Sequence, residues 1–585
     1  MNTEWSLECL YQGYGDPEFE KDMNRLQELA CQIKDSSSGL SGQSAGDMVP
    51  YLLGLLEDYY ETMSGLDIYV SLRSSTNTAD KETKAWEERI MQINSSISGA
   101  LAGIERYFAG VQNLELIEPG SPLVKEYDFY LREKKREAAH MLSNEAEEII
   151  SRMNLSGGAA WGNLQEYLTS TAAADYRGQK LTLSEVRNLA YSSDAEVRKD
   201  AYQAELACYE PIRDSVAFAM NYLKSQVNTV TNLRGYASAL DMTLEKSRMK
   251  RETLDSMLGA MKEYLPRFHE YLKAKASYLG HKNGLPWYDL FAPIGKCERT
   301  YSLSEAKDYL ISHFKGFAPD MADMIQRAFD EEWIDFYPRA GKVGGAFCCN
   351  ITTRKQSRIL TNYDGTLSDI VTLAHELGHA YHGQQIENHR ILNTDYTMPV
   401  AETASTFNEI VIMNAAIREA EGEEKLALIE SRLQDTTQII CDIYSRFLLE
   451  QAVFDGRKEK FFFADDLCKV MLDAQKEAYG DGLDPDVLHP YMWICKSHYY
   501  SSSLSYYNFP YAFGGLFARG LYAQYEKEGE AFLPKYRALL HATTVSTVEE
   551  VAAMAGIDLT KPDFWRESLA SIGKEIDQFM ELAGR

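Results

Sequence analysis

Helical periodicity runs through most of this chain, and only 16 prolines in 585 residues interrupt it. Proline removes a backbone donor and clashes with the preceding helical turn, so its scarcity leaves long helices free to form. That confines the chain to a mainly α fold. Residues 80–110 and 125–155 read as amphipathic helices, and 421–455 reads as one long helix starting near Glu421-Gly422. At roughly 100–200 residues per domain, the length implies several subdomains or one large helical assembly. We expect an N-terminal helical region over 1–195 and a second region over 196–585. The cluster Ser36-Ser37-Ser38-Gly39-Leu40-Ser41-Gly42 reads as a loop, and the break at 154–160 separates helices near a subdomain boundary.

The segment from Trp287 to Asn350 is different in kind. Glycines mix there with small and β-prone residues, as in Gly344-Gly345-Ala346-Phe347-Cys348-Cys349. This predicts a short sheet whose glycines allow another backbone to approach. Gly344, Gly345 and Ala346 are candidates for an edge that adds an extended peptide as a further strand. A plain structural hairpin fits the same residues equally well. The adjacent Cys348 and Cys349 read as two small strand residues rather than a redox or metal pair.

Charge excludes partners better than it names one. The formal net charge of -27 repels phosphate backbones and anionic headgroups, so neither nucleic acid nor a membrane surface is expected as a partner. No apolar run approaches 18 residues, and the first residues carry neither a basic nor an apolar leader region. The nine cysteines are scattered, without CxxC pairs, as reduced thiols would be. A cytoplasmic location is expected.

The residues that carry chemistry are His375-Glu376-Leu377-Gly378-His379. Histidines four apart lie on one helix face, so both imidazoles can reach one cation. Glu376 lies to the side, where it can take a proton from a water on that cation without ligating it. The flanking Ile370, Val371, Leu373, Ala374 and Leu377 would bury the helix, and burying two histidines and a glutamate is costly unless they are ligated or paired. One zinc ion per chain is therefore the expected cofactor.

A third ligand is needed. The pattern HExxHxxGxxH would place glycine at 382 and histidine at 385; this chain has His382 and Gln385, so that arrangement is absent. Glu387 follows His379 while the same helix is still ending. Glu402, 23 residues past His379, follows Pro399 in what reads as the first turn of a second helix. It is the better carboxylate ligand, and Glu409, two turns on, can hydrogen-bond a ligating histidine. Later, His498, Tyr499 and Tyr500 precede Tyr506, Tyr507 and Tyr511. Such a group suits neutral donors aimed at an oxyanion; it equally fits an aromatic core patch.

These residues together resemble the thimet oligopeptidase-like metallopeptidases, closest to the bacterial oligoendopeptidase F branch. The likeness rests on HELGH, on Glu402, Ser405 and Glu409 in their spacing, and on the late His/Tyr segment. It is supported by Arg234-Gly235-Tyr236 and Gly341-Lys342 with Gly345-Ala346-Phe347. The resemblance implies two helical lobes around a deep channel, with zinc at its floor and a small β-sheet beside it. It implies a zinc endopeptidase that cuts short unstructured peptides. His375, His379 and Glu402 would hold the metal, Glu376 would be the base, and Gly344-Gly345-Ala346 the strand that pairs with substrate. His498 and a tyrosine would contact the transition state. The interval after His498 is longer than in the usual pattern; Tyr507 is favoured, Tyr506 and Tyr511 are rivals, and Tyr500 is a supporting donor. Two other readings stand beside it: a zinc exopeptidase of carboxypeptidase or dipeptidyl carboxypeptidase type, and a non-catalytic helical peptide-binding protein. The sequence leaves the oligomeric state open.

Overall fold

The computed structural model describes residues 2–40, 43–112, 114–296 and 299–584. It is mainly α, with five short strands. Side-chain caps set many helix starts. Asp80 accepts from the Glu82 N–H ahead of Lys81–Gly110, and reciprocal capping boxes join Ser302 to Glu305 and Thr366 to Asp369. Lys81–Gly110 matches the helix expected over 80–110.

Three expectations need correction. The stretch 125–155 is not continuous: Asp128–Ala138 and Asn144–Ser156 are separate helices, because the Ser143 hydroxyl caps the second by accepting from Ala146 N–H. Residues 421–455 do form one helical path, Gly422–Thr437 and Ile443–Gly456, but Gln438–Asp442 between them is π-helical. Ser36, Ser37 and Ser38 belong to the last turn of the helix Pro17–Ser38, where the Ser37 and Ser38 hydroxyls donate to Lys34 O; Ser41 and Gly42 lie outside the described residues.

The buried apolar side chains form two bodies. One is built from Pro17–Ser38, Ala45–Thr76, Lys81–Gly110 and Asp128–Ala138, around residues such as Leu26, Leu53, Tyr59 and Ile104. The other runs from Ala174 to Phe579 and holds most of the buried apolar residues that follow in chain order; Ile351 and Leu360 belong to the first body instead. Packing thus changes hands between Leu131 and Ala174, an interval that contains the glycine break at 154–160. Residues 174–195 pack with the larger body.

The strands β1 (Ala173–Tyr176) and β2 (Gln179–Thr182) form a hairpin. The strands β3 (Ile334–Asp335), β4 (Phe347–Ile351) and β5 (Gln356–Leu360) form a sheet in the order β3-β5-β4, β3 parallel and β4 antiparallel to β5. Period-two alternation makes this sheet the joint between the two bodies. Phe347, Cys349 and Ile351 face the N-terminal core, whereas Cys348 faces the larger one. Cys348 and Cys349 therefore point apart, and the described cysteines are all free. Gly344, Gly345 and Ala346 do not form the edge strand. They make a bend ahead of it, with Gly345 at φ +78 and the Asn362 amide donating to Val343 O and Gly345 O. A left-handed turn is what demands glycine here. The free edge belongs to β4.

Candidate metal centre

The motif helix runs from Leu367 to Ile386 and starts from the Thr366 capping box. His375 and His379 stand one turn apart with ring centroids 4.9 Å from each other. Glu402 sits at a joint: a single turn, Met398–Ala401, opens on Pro399, and Thr403–Glu419 follows. Glu402 has φ -90 and ψ 9 between them, not in a regular first turn. Its carboxylate is thereby turned toward the histidines.

Close packing of the two helices brings the ligands within reach. A Cβ on Gly378 would lie 2.5 Å from Ser405 Cα and 2.6 Å from Ala404 O, so only glycine admits this approach. Asn408 fastens the pair by donating from Nδ2 to Ala374 O. The outcome is a group in which His375, His379 and Glu402 each offer one ligand atom, all within 4.8 Å of one another. Each Nε2 lies 3.3 Å from Glu402 Oε2. Bonds of ~2.0–2.1 Å in a tetrahedron separate their donors by ~3.3 Å, so the set fits zinc.

Neighbouring groups orient these ligands. Glu409 holds His375 Nδ1, which leaves Nε2 facing Glu402. The Ser405 hydroxyl donates to Glu402 Oε2 at 2.7 Å. Burial disfavours charge on His375, but Glu409, with Glu376 and Glu402, outweighs it and pushes the imidazole up to about 9. Burial likewise works against the Glu402 carboxylate, but His379, Ser405 and His375 hold it down to about 2. Glu376 is 5% exposed and shows no side-chain hydrogen bond among the described residues. Its pKa is raised, first by burial, against the opposing pull of His375 and His379. A carboxylate with unoccupied lone pairs and raised basicity beside a metal site is suited to take up a proton.

The other candidates separate clearly. Glu387 ends the motif helix and pairs with Lys355 at 3.5 Å. His382 is fully buried against Tyr396 and donates from Nε2 to Thr543, whose own hydroxyl donates to Leu540 O. Tyr500 and Tyr506 point into the core. The Tyr500 hydroxyl donates to Trp493 O, and that of Tyr506 to Gln451 Oε1. Neither supplies a donor to the metal group, a correction for Tyr500 in particular.

Tyr507 and Tyr511 remain with His498. The His498 ring lies 4.9 Å from that of Tyr507 and 6.3 Å from that of Tyr511. Their link to the metal group is the helix Phe509–Glu528, where a Cβ on Gly514 would stand 3.2 Å from Glu402 Cβ. Tyr511 is one turn before Gly514, on the same face. Burial, Tyr507 and then Glu402 push its hydroxyl up to about 12, so it stays protonated and able to donate. His498 Nδ1 is buried without a partner among the described residues. Two contacts escaped the sequence reading. Asn350 of β4 donates from Nδ2 to His379 O, and Tyr396, whose ring stacks on His382, has its hydroxyl pushed up first by burial, with the Glu402 carboxylate adding to the shift. No spacing rule points at either.

Known proteins share this framework. Residues 188–571 match peptidase family M3, and residues 120–172 match the segment described as oligopeptidase F. The oligopeptidase PepF of Bacillus subtilis (strain 168) is 23% identical, over 99% of this chain and 87% of its own length. The group B oligopeptidase PepB of Streptococcus agalactiae is 24% identical, over 91% and 90%. Among solved structures, a putative peptidase from Chlamydophila abortus superposes with a TM-score of 0.88 at 20% identity, covering 99% of this chain and 98% of that one. Oligoendopeptidase-F from Enterococcus faecium gives 0.72 at 19%, over 97% and 99%. The match over the region that carries the histidine-glutamate group is extensive enough to settle kinship: the chain belongs to peptidase family M3.

Proposed function

We propose that the protein is a zinc-dependent endopeptidase hydrolysing internal bonds of short, unstructured oligopeptides in the cytoplasm. The observation that carries this is the convergence of His375, His379 and Glu402 ligand atoms within 4.8 Å, next to a buried and unbonded Glu376. Zinc held there supplies Lewis acidity, acidifying a water and polarising the scissile carbonyl. The chain's own residues do the rest. Glu376 takes the proton from the attacking water and passes it to the leaving amine. His498 with Tyr507 or Tyr511 donates to the developing oxyanion. The free edge of β4, one face of which abuts the motif helix through Asn350 and His379, pairs with the substrate backbone. Oligopeptidase and oligoendopeptidase are the names of relatives and structural neighbours, which supports peptides as substrates.

Metal analysis combined with digestion of a mixed oligopeptide pool tests the reading. We expect one zinc per chain and cleavage that stops with chelator and returns with zinc. Peptides blocked at both ends should still be cut. Failure to cut them, with unblocked peptides cut normally, would instead assign an exopeptidase.

A further inference from the structure

His498 lies in the single turn Ser497–Tyr500, which follows the short helix Met492–Cys495. Tyr507 lies in the irregular stretch between that turn and the helix Phe509–Glu528. The far end of this stretch is tied to the larger body. Thr243 donates to Ser505 O at 3.0 Å, and Asn508 donates from Nδ2 to Glu450 at 3.2 Å. The near end rests on the helix Gly158–Thr171, which lies within the matched segment 120–172 and ahead of the M3 match over 188–571.

Three residues of that helix meet the chain at 494–502. Positions 158, 162 and 165 follow the i, i+4, i+7 rule and share one face. Gln165, 2% exposed, donates from Nε2 to Ile494 O at 2.8 Å. A Cβ on Gly162 would lie 2.6 Å from Tyr500 O, and one on Gly158 would lie 2.5 Å from Ser502 Cβ. Neither neighbour can rotate away, because one is main chain and the other is fixed to it. The start of the helix is pinned in turn by Gln226, which accepts from the Gly158 N–H at 2.7 Å and donates to Asn154 Oδ1 at 2.7 Å. Ile494 and Tyr500 bracket His498, so the helix grips the chain on both sides of it. A group that must meet a developing oxyanion tolerates little displacement; a misplacement of about 1 Å can cost on the order of 10²-fold in rate.

We infer that Gln165 and Gly162 are positioning residues for the reaction: by holding Ile494 O and admitting Tyr500 O, they set where His498, with the Tyr507 ring 4.9 Å from its own, stands over the metal group. The inference rests on the peptidase reading. It gives a helix outside the M3 match a part in the chemistry.

Two variants disturb the contact from opposite sides, so either alone carries the test. Gln165→Met keeps the side-chain length and removes the donor, and Gly162→Ala adds a methyl group against Tyr500 O. Each should lower kcat by on the order of tenfold or more, with KM within about twofold and zinc content unchanged. In a His498→Ala background the same substitutions should change kcat by less than about twofold, because the group they aim is gone. Hydrogen exchange should speed up over 494–502 in both variants and stay as it was over the motif helix. Equal losses of kcat in the two backgrounds overturn the inference, and so does an unchanged kcat in the folded variants. Exchange over 494–502 at the rate of an unstructured chain in the wild type overturns it without any variant. Exchange that depends on Gln165, without wild-type hydrolysis, sinks the peptidase reading alone; hydrolysis indifferent to Gln165 and Gly162 sinks this one alone.

Discussion

The converging atoms of His375, His379 and Glu402 are aimed by residues outside their own group. Glu409 fixes the ring of His375, and Ser405 fixes Glu402. We predict that Glu409→Ala lowers zinc affinity by roughly 10–100-fold while the chain stays folded, as read by competition with a chelating dye. Tyr507→Phe or Tyr511→Phe should cut kcat by on the order of 10²-fold with little change in KM, at whichever tyrosine donates to the oxyanion. Tyr500→Phe should instead lower the melting temperature and spare kcat, because it orphans the buried Trp493 carbonyl at a cost of about 1–3 kcal/mol. The nearness of His375 and His379 was legible in the sequence because helical spacing converts directly into direction. The tyrosines were not. Residues 501–508 follow no period, and Tyr506 has φ 54, so nothing in the order Tyr506-Tyr507 says which ring turns inward.

At the scale of elements, the site depends on how closely two helices meet. Gly378 lies between the histidines, and a methyl group there strikes the backbone at Ser405 and Ala404 rather than a movable side chain. Gly378→Ala should therefore cost about 1–3 kcal/mol or more in stability and push Glu402 away from the histidines. Urea unfolding and zinc titration check both effects; unchanged zinc affinity would show that the helix spacing is not what sets the ligand distance. The HExxH pattern does not require glycine at that position, so the sequence gives no hint of this role. Helix existence was legible, and interruptions were less so. The apolar stripe continues across Ser143 and across Gln438–Asp442, and only a cap and an extra backbone residue per turn mark the breaks.

Across the whole molecule, the two packed bodies meet at a sheet whose strands are too short to stand out in the sequence. Glycines 344 and 345 drew attention to that region, but they serve the turn and not the strand. Long-range ion pairs brace the larger body. Burial works against the Glu205 carboxylate, yet His489 and Arg187 hold it at about 2, below its ordinary 4.5. A depressed carboxylate stabilises the fold fully above pH 4.5 and loses that contribution as pH falls toward 2. Between those limits the wild type should lose on the order of 3 kcal/mol more than Glu205→Gln, by denaturant unfolding at each pH. Hydrolysis at this site turns on Glu376, buried beside the candidate ligands with its lone pairs free. The decisive measurement is zinc content and peptide turnover of Glu376→Gln, side by side. One zinc per chain with turnover down by several orders of magnitude is the predicted result; one zinc per chain with near-normal cleavage would contradict it.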